Sequence, residues 1–362
     1  MISCFVLVPF DSESENINPN NSFIKDLNAE SLTAKLNDLL PGLMDENKIP
    51  GISIAVLKNS NVILTKSYGV QSTKTKIAAT NGTIYEFGSL SKPVFALAVL
   101  QLANKGKIDL DKPLYKYWVL KNAAPEARYK QMTARMVLSH TAGFLSWSYN
   151  RNHIAVAFPP GKQFNYSGEG YYYLQKVVEE ITGKHLQQIV DEQVFTPLQM
   201  NRSSFIWKTT LQASMAHGHS NSGEFEREIS EWKAVWEGVS ASSLLTDITD
   251  YSKFVSYILK EYKKGNPLIK SMVKPTVEVK DDGNWGRIFW SLGWGIEETK
   301  QGHSIWHWGN TVEFRSLVVV NLKNGNGLVY VANSSSGLVP VKSIIQSTIG
   351  GVHPLTRYSM VN

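Results

Sequence analysis

The chain has 362 residues, 43% hydrophobic and 19% charged, a composition typical of a globular protein that forms one large domain or two lobes. The net charge of +6 comes from 37 basic and 31 acidic residues. The basic residues are scattered rather than clustered, which argues against nucleic-acid binding. A single cysteine, Cys4, excludes a disulfide framework and a cysteine-based zinc site.

The N-terminus combines an apolar start with a polar stretch. MISCFVLVPF (1–10) is too short to span a bilayer, and DSESENINPNNS after it is typical of a flexible tether. Residues 1–28 are thus an apolar start and a flexible tether, and we expect residues 1–10 to be the remnant of an export signal or, if Cys4 carries a lipid, a membrane anchor; a disordered terminus is the alternative. The pattern favours an exported protein, periplasmic or membrane-anchored in a bacterium, over a cytoplasmic one.

The first elements have clear signals. Leucines recurring over residues 32–43 predict an amphipathic helix that Pro41-Gly42 bends or ends. Two β-rich runs, 52–58 and 62–70, are joined by Asn59-Ser60-Asn61 and predict a hairpin. Residues 92–105 predict a helix closed by Gly106.

Helical patterns then fill the middle of the chain, and strand patterns return late. The helical patterns cover 132–140, 170–183 and 246–265. The strand patterns cover 287–298, 313–323 and 327–334, and the turn residues 324–327 (Asn-Gly-Asn-Gly) separate the last two. A final apolar stretch, 341–350, predicts a helix.

Strands at both ends with helices between them argue against a doubly wound parallel sheet. We predict an α+β fold, an α/β lobe plus an all-α lobe: one antiparallel sheet built from both chain ends, flanking terminal helices and a helical insertion. A single domain is expected over 29–355, with the sheet lobe at about 29–106 and 270–355 and the helical lobe at about 107–269. A cleft between the lobes is the expected pocket.

Four Ser-x-x-Lys triplets occur in the sequence, at Ser22/Lys25, Ser89/Lys92, Ser230/Lys233 and Ser271/Lys274. Only Ser89 opens a strongly apolar helix, with Gly88 allowing a close backbone approach and Pro93 in the first turn. Ser89 and Lys92 share one helix face, and the helix dipole favours negative charge there. A buried lysine has a lowered pKa and can relay the hydroxyl proton. The alternative is an N-cap serine followed by a solvated lysine.

A second candidate segment is PPGKQFNYSGEG (159–170). Tyr166 follows a Pro-Gly turn and precedes a helix. A phenol beside a lysine ammonium is stabilised as phenolate and can act as a general base. The alternative is a packing residue, like the neighbouring tyrosines 171–173.

A third candidate segment is HSIWHWGN (303–310), at the end of a predicted strand. If this strand edges the cleft, the amides of Asn310 and Ser89 can form an oxyanion hole, and His307 can hydrogen-bond the leaving group. The alternative is a partly buried strand histidine between two tryptophans.

The order Ser-Leu-Ser-Lys (89–92), Tyr-Ser-Gly (166–168), His-Trp-Gly (307–309) resembles the serine β-lactamase and penicillin-binding-protein superfamily. Within it, the match is to the class C β-lactamase-like branch, which includes D-alanyl-D-alanine carboxypeptidases, D-aminopeptidases and family VIII-type esterases. The motifs of that branch run Ser-x-x-Lys, Tyr-x-Asn and Lys-Thr-Gly or His-x-Gly. Its accessory segments resemble MVLSHTAGF (136–144), FTPLQMNRSSF (195–205) and LGWGI (292–296), so the resemblance covers about residues 30–350.

The resemblance implies a β-lactamase/transpeptidase-like fold and a serine hydrolase that works through an acyl-enzyme. Ser89 would be the acylated nucleophile, Lys92 its proton partner, and Tyr166 the general base and leaving-group acid. The implied substrate-binding and oxyanion positions are His307, Trp308, Gly309, Asn310 and Gly168.

Several positions depart from the family pattern. Gly168 stands where the family usually has Asn, which puts peptide-like and β-lactam recognition in doubt. Glu169 either substitutes in part or is a surface residue near a helix start. His307 replaces a lysine and offers a weaker cation for a substrate carboxylate, and Trp308 replaces a small residue.

One further departure lies after the third motif. Glu313 stands where the family commonly has Gly, and a carboxylate at the cleft mouth disfavours anionic substrates unless Arg315 neutralises it. These changes favour cleavage of esters or small amide and peptide substrates. The alternatives are β-lactamase or D-alanyl-D-alanine carboxypeptidase activity, and a catalytically quiet protein that binds a penicillin-like or peptide ligand.

Other features carry weaker signals. His217-Gly-His219 lacks an acidic partner at ligand spacing, His140 is expected to be a structural hydrogen-bonder, and no G-x-S-x-G elbow or phosphate loop occurs. We therefore expect no metal, cofactor or nucleic acid, a small-molecule ester, peptide or β-lactam-like substrate, and membrane attachment only through the N-terminus. An apolar acyl or aryl pocket can draw on Trp147, Trp290, Trp306 and Trp308.

Overall fold

The computed structural model describes residues 22–24, 26, 28–148, 150, 152–223, 225–281 and 286–357. The apolar start, Cys4 and most of the tether lie outside these residues, so export and lipid attachment stay predictions. None of the helices in the described ranges is long and apolar enough to cross a membrane.

The long helices Ala29–Glu46, Ser91–Asn104, Gly168–Thr182 and Ile248–Lys263 lie close to the helical stretches expected from the sequence. The helices are α1 Ala29–Glu46, α2 Ser91–Asn104, α3 Glu126–Tyr129, α4 Ala134–Leu138, α5 Gly168–Thr182, α6 Leu186–Val190, α7 Ala234–Glu237, α8 Ile248–Lys263, α9 Pro267–Met272 and α10 Val341–Thr348. The strands are β1 Gly51–Lys58, β2 Asn61–Gly69, β3 Tyr85–Glu86, β4 Ala123–Ala124, β5 Ile154–Ala155, β6 Gly218–His219, β7 Phe225–Arg227, β8 Leu245–Thr246, β9 Val277–Asp281, β10 Arg287–Trp290, β11 Gly295–Thr299, β12 Gly302–Asn310, β13 Arg315–Asn321 and β14 Gly327–Ala332.

An antiparallel sheet joins the two ends of the chain. Its eight strands lie in the order β2-β1-β14-β13-β12-β11-β10-β9, with Ile54 opposite Tyr330 where the early and late strands meet. The hairpin β1–β2 turns at Asn59 and Ser60, which both have positive φ. The central strands are buried along nearly their whole length, because helices cover both faces of the sheet.

The terminal helices α1 and α10 pack on one face of this sheet. They share an apolar cluster with β1, β12 and β14 that contains Leu36, Ile54, Trp306, Tyr330 and Ile344. The N-terminus of α1 is capped by Asn28, whose side chain accepts a hydrogen bond from the Ser31 amide at 2.8 Å. Pro41 does not end the helix, which continues to Glu46.

The other face carries α2, α8 and the helical part of the chain. Helix α2 is buried over most of its length and belongs to a second, larger apolar cluster together with α5 and α8. This arrangement confirms the predicted fold class: an antiparallel sheet from both chain ends, terminal helices and a helical insertion. The exact lobe boundaries stay a prediction.

One predicted strand is divided in the structure. The stretch 287–298 forms β10 and β11, joined by a turn at residues 291–294. Gly293 has φ +91°, and a Cβ atom there would lie 2.6 Å from Cβ of Ala96 in α2. The segment LGWGI is therefore a turn pressed against α2 followed by a strand, rather than one continuous strand.

Candidate active site

Ser89 lies in a single 3₁₀ turn, Gly88–Leu90, directly before α2. Gly88 has φ +54°, and a Cβ atom at this position would lie 3.0 Å from the backbone nitrogen of Asn310. Glycine is therefore needed both for the backbone conformation and for the close approach of β12. The turn is further held by Ser91, whose hydroxyl donates to the Gly88 carbonyl at 2.6 Å and accepts from the Leu244 amide at 2.9 Å.

Lys92 is buried and forms a hydrogen bond with the serine. Its Nζ donates to Ser89 Oγ at 3.0 Å and to the carbonyl of Ala241 at 2.7 Å, and only 2% of the residue is exposed. In the part of the chain that the structure describes, it makes no ion pair with a carboxylate. Burial lowers the pKa of Lys92 to about 7, because the charged amine loses its hydration without gaining a counter-ion. The alternative of a solvated lysine is thereby excluded.

Tyr166 lies next to this pair. The Lys92 ammonium is 4.7 Å from the centre of the Tyr166 ring. Burial raises the pKa of the Tyr166 hydroxyl above its ordinary value, and the nearby Ser89 hydroxyl opposes this rise only in part. The hydroxyl is buried and forms no hydrogen bond of normal geometry among the described residues. The phenol is therefore neutral at ordinary pH, which does not favour the phenolate form expected from the sequence.

Two histidines adjoin Tyr166 and have opposite tautomers. His140 Nδ1 accepts the Ser167 amide proton at 3.0 Å, so the ring proton is on Nε2. His307 Nδ1 lies 2.8 Å from the Trp308 carbonyl and must donate to it, so Nε2 of His307 is a lone-pair acceptor. Burial, followed by the charge of Lys92, lowers the pKa of both rings, that of His307 to about 3. Both imidazoles are therefore neutral.

The structure does not place His307 on an open wall of the cleft. Its side chain is fully buried, and its ring lies 6.2 Å from that of Tyr166. Trp308 is also almost completely buried and packs 5.0 Å from the Tyr166 ring. Trp290 and Trp306 have no exposed surface. The expectation that these three tryptophans line an acyl pocket therefore does not match the structure, because they fill the core beside Tyr166; of the four, only Trp147 is exposed.

The end of β12 lies against the turn that carries Ser89. A Cβ atom on Gly309 would overlap with the Phe87 carbonyl and with Ser316 Oγ, and Ser316 donates a hydrogen bond to the same carbonyl at 2.9 Å. Asn310 follows at the exposed end of the strand. The structure thus brings the backbone of Ser89 and Asn310 to one place, as an oxyanion hole built from their amides requires.

Gly168 and Glu169 open helix α5. Ser167 caps the helix, accepting from the Gly170 amide at 3.1 Å. Glu169 is 2% exposed, and its carboxylate accepts from the Ser148 amide at 3.0 Å. Glu169 is therefore not a surface residue: it binds the preceding loop to the helix start.

The carboxylate of Glu313 is hydrogen-bonded by Arg227, and the charge of Arg315 also acts on it. Arg227 donates to Glu313 at 2.5 Å and, through two nitrogens, to Glu86 at 2.8 and 2.9 Å. Both carboxylates are almost completely buried. Arg315 instead donates to the Thr311 and Phe314 carbonyls. The pair of acids is thus held by one guanidinium, which fixes the turn after Asn310.

His219 of the His217-Gly-His219 segment has a structural role. His219 Nδ1 contacts the Asn333 carbonyl at 2.9 Å, and its Nε2 accepts from the Thr73 amide at 3.2 Å. Among the described residues, no group of three or more His, Cys, Asp or Glu side chains is placed to hold a metal ion.

Some contributors could not be found from the sequence motifs. The Ala241 carbonyl orients Lys92, but a backbone group has no residue signature. Arg227 lies far from Glu86 and Glu313 in sequence, on the short strand β7 that pairs with β6. Trp147 was a candidate only through its type, since nothing in its local pattern indicates a contact with Gly168.

In this site a serine at a helix start is hydrogen-bonded to a buried lysine, a tyrosine lies beside the pair, and an antiparallel sheet packs against the helix. This arrangement is typical of the serine β-lactamase and penicillin-binding-protein class. The chain belongs to the family described as Beta-lactamase, whose model matches residues 36–346. The family resemblance drawn from the sequence is confirmed.

Relatives and solved structures agree with this assignment. Protein flp of Staphylococcus aureus strain MW2 is 25% identical over 314 residues, covering 82% of this chain. Teichoic acid D-alanine hydrolase of S. aureus strain MRSA252 is 23% identical over 276 residues, 67% of this chain and 68% of that protein. The octameric penicillin-binding protein homologue from Pyrococcus abyssi superimposes with a TM-score of 0.75 at 21% identity, over 90% of this chain and 80% of that one, and shows the fold. The matched region spans 62% of the length of the flp protein.

Proposed function

We propose that the protein is a serine hydrolase that forms an acyl-enzyme on Ser89 and cleaves esters in preference to amides and β-lactams. The observation that carries this proposal is the hydrogen bond from a buried Lys92, whose pKa is lowered to about 7, to Ser89 Oγ. A neutral amine 3.0 Å from a hydroxyl is a general base for that hydroxyl.

The proton steps follow from this pair. Ser89 Oγ attacks the ester carbonyl carbon, and its proton passes to the neutral amine of Lys92. The oxyanion accepts hydrogen bonds from the Ser89 and Asn310 amides. When the C–O bond to the leaving group breaks, the proton passes from Lys92 to the departing alkoxide, with the neutral Tyr166 phenol as relay. Water then attacks the carbonyl carbon of the acyl-enzyme and gives its proton to Lys92. The bond from that carbon to Ser89 Oγ breaks, the proton returns to Ser89 Oγ, and the carboxylic acid is released.

The electrostatics of the site support a substrate without a free carboxylate. His307 stays neutral at physiological pH and has no exposed surface, so it supplies no cation. Among the described residues, the positive charge that adjoins Tyr166 is the Lys92 amine, which must be neutral to act as base. Esters also have a better leaving group than amides and need less assistance in the second half of the reaction.

A D-alanyl ester is a second candidate substrate. The relative named teichoic acid D-alanine hydrolase suggests it, and such an ester has an ammonium group and no free carboxylate. The neutral histidines beside Tyr166 do not repel that ammonium group. D-alanyl esters and simple acyl esters would be cleaved by one mechanism and differ only in their acyl group, which carries an ammonium group in the D-alanyl ester.

Covalent labelling tests the mechanism. Incubation with a fluorophosphonate should add one phosphonyl group to the wild-type chain, measured by intact mass spectrometry, and Ser89→Ala should abolish it. Absence of the adduct, or its persistence in Ser89→Ala, would show a catalytically quiet ligand-binding protein instead.

Substrate preference is tested on matched compounds. Rates on a p-nitrophenyl ester, a D-alanyl ester, a D-amino-acid anilide and a chromogenic cephalosporin should fall in the order esters, anilide, cephalosporin. If the cephalosporin were the best substrate, the preference for esters would be wrong while the acyl-enzyme mechanism would stand.

A further inference from the structure

The space in front of Gly168 is filled by the indole of Trp147. A Cβ atom on Gly168 would overlap with Cζ2 and Cε2 of the indole and would lie 2.9 Å from its Nε1. Any side chain at position 168 is therefore incompatible with the present position of Trp147. Gly168 lies two residues after Tyr166 in the sequence, at the motif position where the family usually has Asn, so the indole takes up the space in front of that motif position.

The loop that carries Trp147 is fixed to the start of α5 by hydrogen bonds on both sides of the tryptophan. Ser167 Oγ donates to the Leu145 carbonyl at 2.7 Å, and the amides of Gly168 and Glu169 donate to the Ser146 carbonyl at 2.9 and 3.1 Å. The Ser148 amide donates to the Glu169 carboxylate at 3.0 Å. Because these bonds bracket residue 147, the position of the indole is set by the fold of the loop.

The indole also presents apolar surface. Trp147 is 37% exposed, and its neighbour Leu145 is 50% exposed. Large apolar side chains exposed together beside a site are typical of a ligand-contacting surface. The indole offers a ring face and one N–H donor, and it cannot accept a hydrogen bond from an amide N–H.

We propose that Trp147 determines the substrate specificity of the site, by packing over Gly168 so that an apolar or aromatic acyl group lies against its ring and an amide N–H finds no acceptor there. This inference rests on the proposed serine-hydrolase function. It names the substrate class as esters of apolar, preferably aryl-substituted, carboxylic acids.

The first experiment compares p-nitrophenyl phenylacetate with p-nitrophenyl acetate in wild type, Trp147→Ala, Trp147→Leu and Trp147→Phe. The ratio of kcat/KM for the two esters should fall about tenfold in Trp147→Ala and less in Trp147→Phe, since one aromatic contact is lost or reduced. Trp236→Ala removes an exposed tryptophan that packs on Trp207 in another part of the chain, and it should leave the ratio unchanged.

The second experiment restores a polar group at position 168. Gly168→Asn alone should lower activity on both esters because the carboxamide overlaps with the indole. In Trp147→Ala/Gly168→Asn the overlap is relieved, and the rate on phenylacetyl p-nitroanilide relative to the phenylacetate ester should rise about tenfold above wild type. A double variant no better than Gly168→Asn alone would contradict the packing relation between the two positions.

The two proposals fail in different ways. If fluorophosphonate does not label wild-type Ser89 and neither ester is hydrolysed, the serine-hydrolase function is wrong. If Ser89 is labelled and the esters are cleaved, but the ester ratio changes less than twofold in Trp147→Ala, only the role of Trp147 is wrong. Should Trp147→Ala fold poorly, as judged by its melting temperature, the ratio in Trp147→Leu decides the same question.

Discussion

Lys92 and the Glu86–Arg227–Glu313 cluster are both largely buried, but the cluster contains opposite charges and Lys92 has no counter-ion among the described residues. Arg227 makes three hydrogen bonds to two carboxylates, so each carboxylate of the cluster has a cationic partner. Lys92 faces a hydroxyl, a carbonyl and aromatic rings, and the structure shows no counter-ion for it among the described residues. A buried charge with oppositely charged partners contributes to the fold, because removing one partner is costly. A buried amine without a counter-ion has a lowered pKa and can act as a base.

The largest expected effect is the loss of that base. Lys92→Met keeps a side-chain stem of similar length and removes the amine, and it should lower kcat/KM for a p-nitrophenyl ester by about 10² to 10⁴-fold, the range of a proton-transferring group. Steady-state kinetics measure it, with fluorophosphonate labelling of Ser89 slowed in parallel. A loss of less than tenfold would mean that Lys92 does not take the serine proton.

Removing the cation of the Glu86–Arg227–Glu313 cluster should instead lower the free energy of unfolding. Arg227→Met leaves Glu86 and Glu313 buried without their cation, which costs about 3 to 5 kcal/mol in the free energy of unfolding. Urea denaturation measures this difference. The matched control is Arg135→Met, which removes an exposed pair with two bonds to Asp111 and should cost about 1 kcal/mol or less. Equal losses in the two variants would contradict the distinction between buried and exposed pairs.

Lys92→Met should have the opposite effect on stability. The pKa of Lys92 is about 7 in the fold and 10.5 when unperturbed, so between these values the unfolded chain binds more protons. The wild-type stability contributed by this group therefore rises with pH from about 7 to 10.5. At pH 6 the variant should be more stable than wild type by about 2 to 4 kcal/mol, and the advantage should vanish near pH 10.

A variant less stable than wild type at pH 6 would show that the two hydrogen bonds of Lys92 outweigh its desolvation. Denaturation at pH 6 and pH 10 separates the two results. The comparison is clean because Met conserves the apolar stem that packs in the core.

The sequence predicted the Ser89–Lys92 pair but not the Glu86–Arg227–Glu313 cluster, and the difference has a physical reason. Ser89, Lys92 and Gly88 belong to one local turn and helix start, where spacing alone determines which side chains share a face. The joining of strands from both chain ends into one antiparallel sheet also followed from the sequence, since β-rich runs at both ends with a helical middle argue against a doubly wound parallel sheet.

The contacts that decide charge and specificity are long-range. Arg227 meets Glu86 and Glu313 only after three segments have folded together, and Arg315, close in sequence to Glu313, points to carbonyl groups instead. Likewise Glu169 reads as a surface residue from its position at a helix start, yet the loop before α5 covers it. The partners of buried charged side chains therefore cannot be predicted from proximity in sequence alone.

The smallest predicted effect tests whether the uncompensated amine controls the pH dependence of the reaction. Only neutral Lys92 can accept the Ser89 proton, so kcat/KM should increase with an apparent pKa near 7, by about tenfold between pH 6 and pH 8. The other titratable groups facing the amine stay in one state over this range. The lowered pKa values of His140 and His307 keep them neutral, and the raised pKa values of Tyr166 and Tyr171 keep both phenols protonated. His307→Gln should therefore retain the same apparent pKa, measured on an ester whose spontaneous hydrolysis is subtracted. A profile that is flat from pH 6 to 8, or one whose midpoint moves in His307→Gln, would mean that a group other than Lys92 carries the proton.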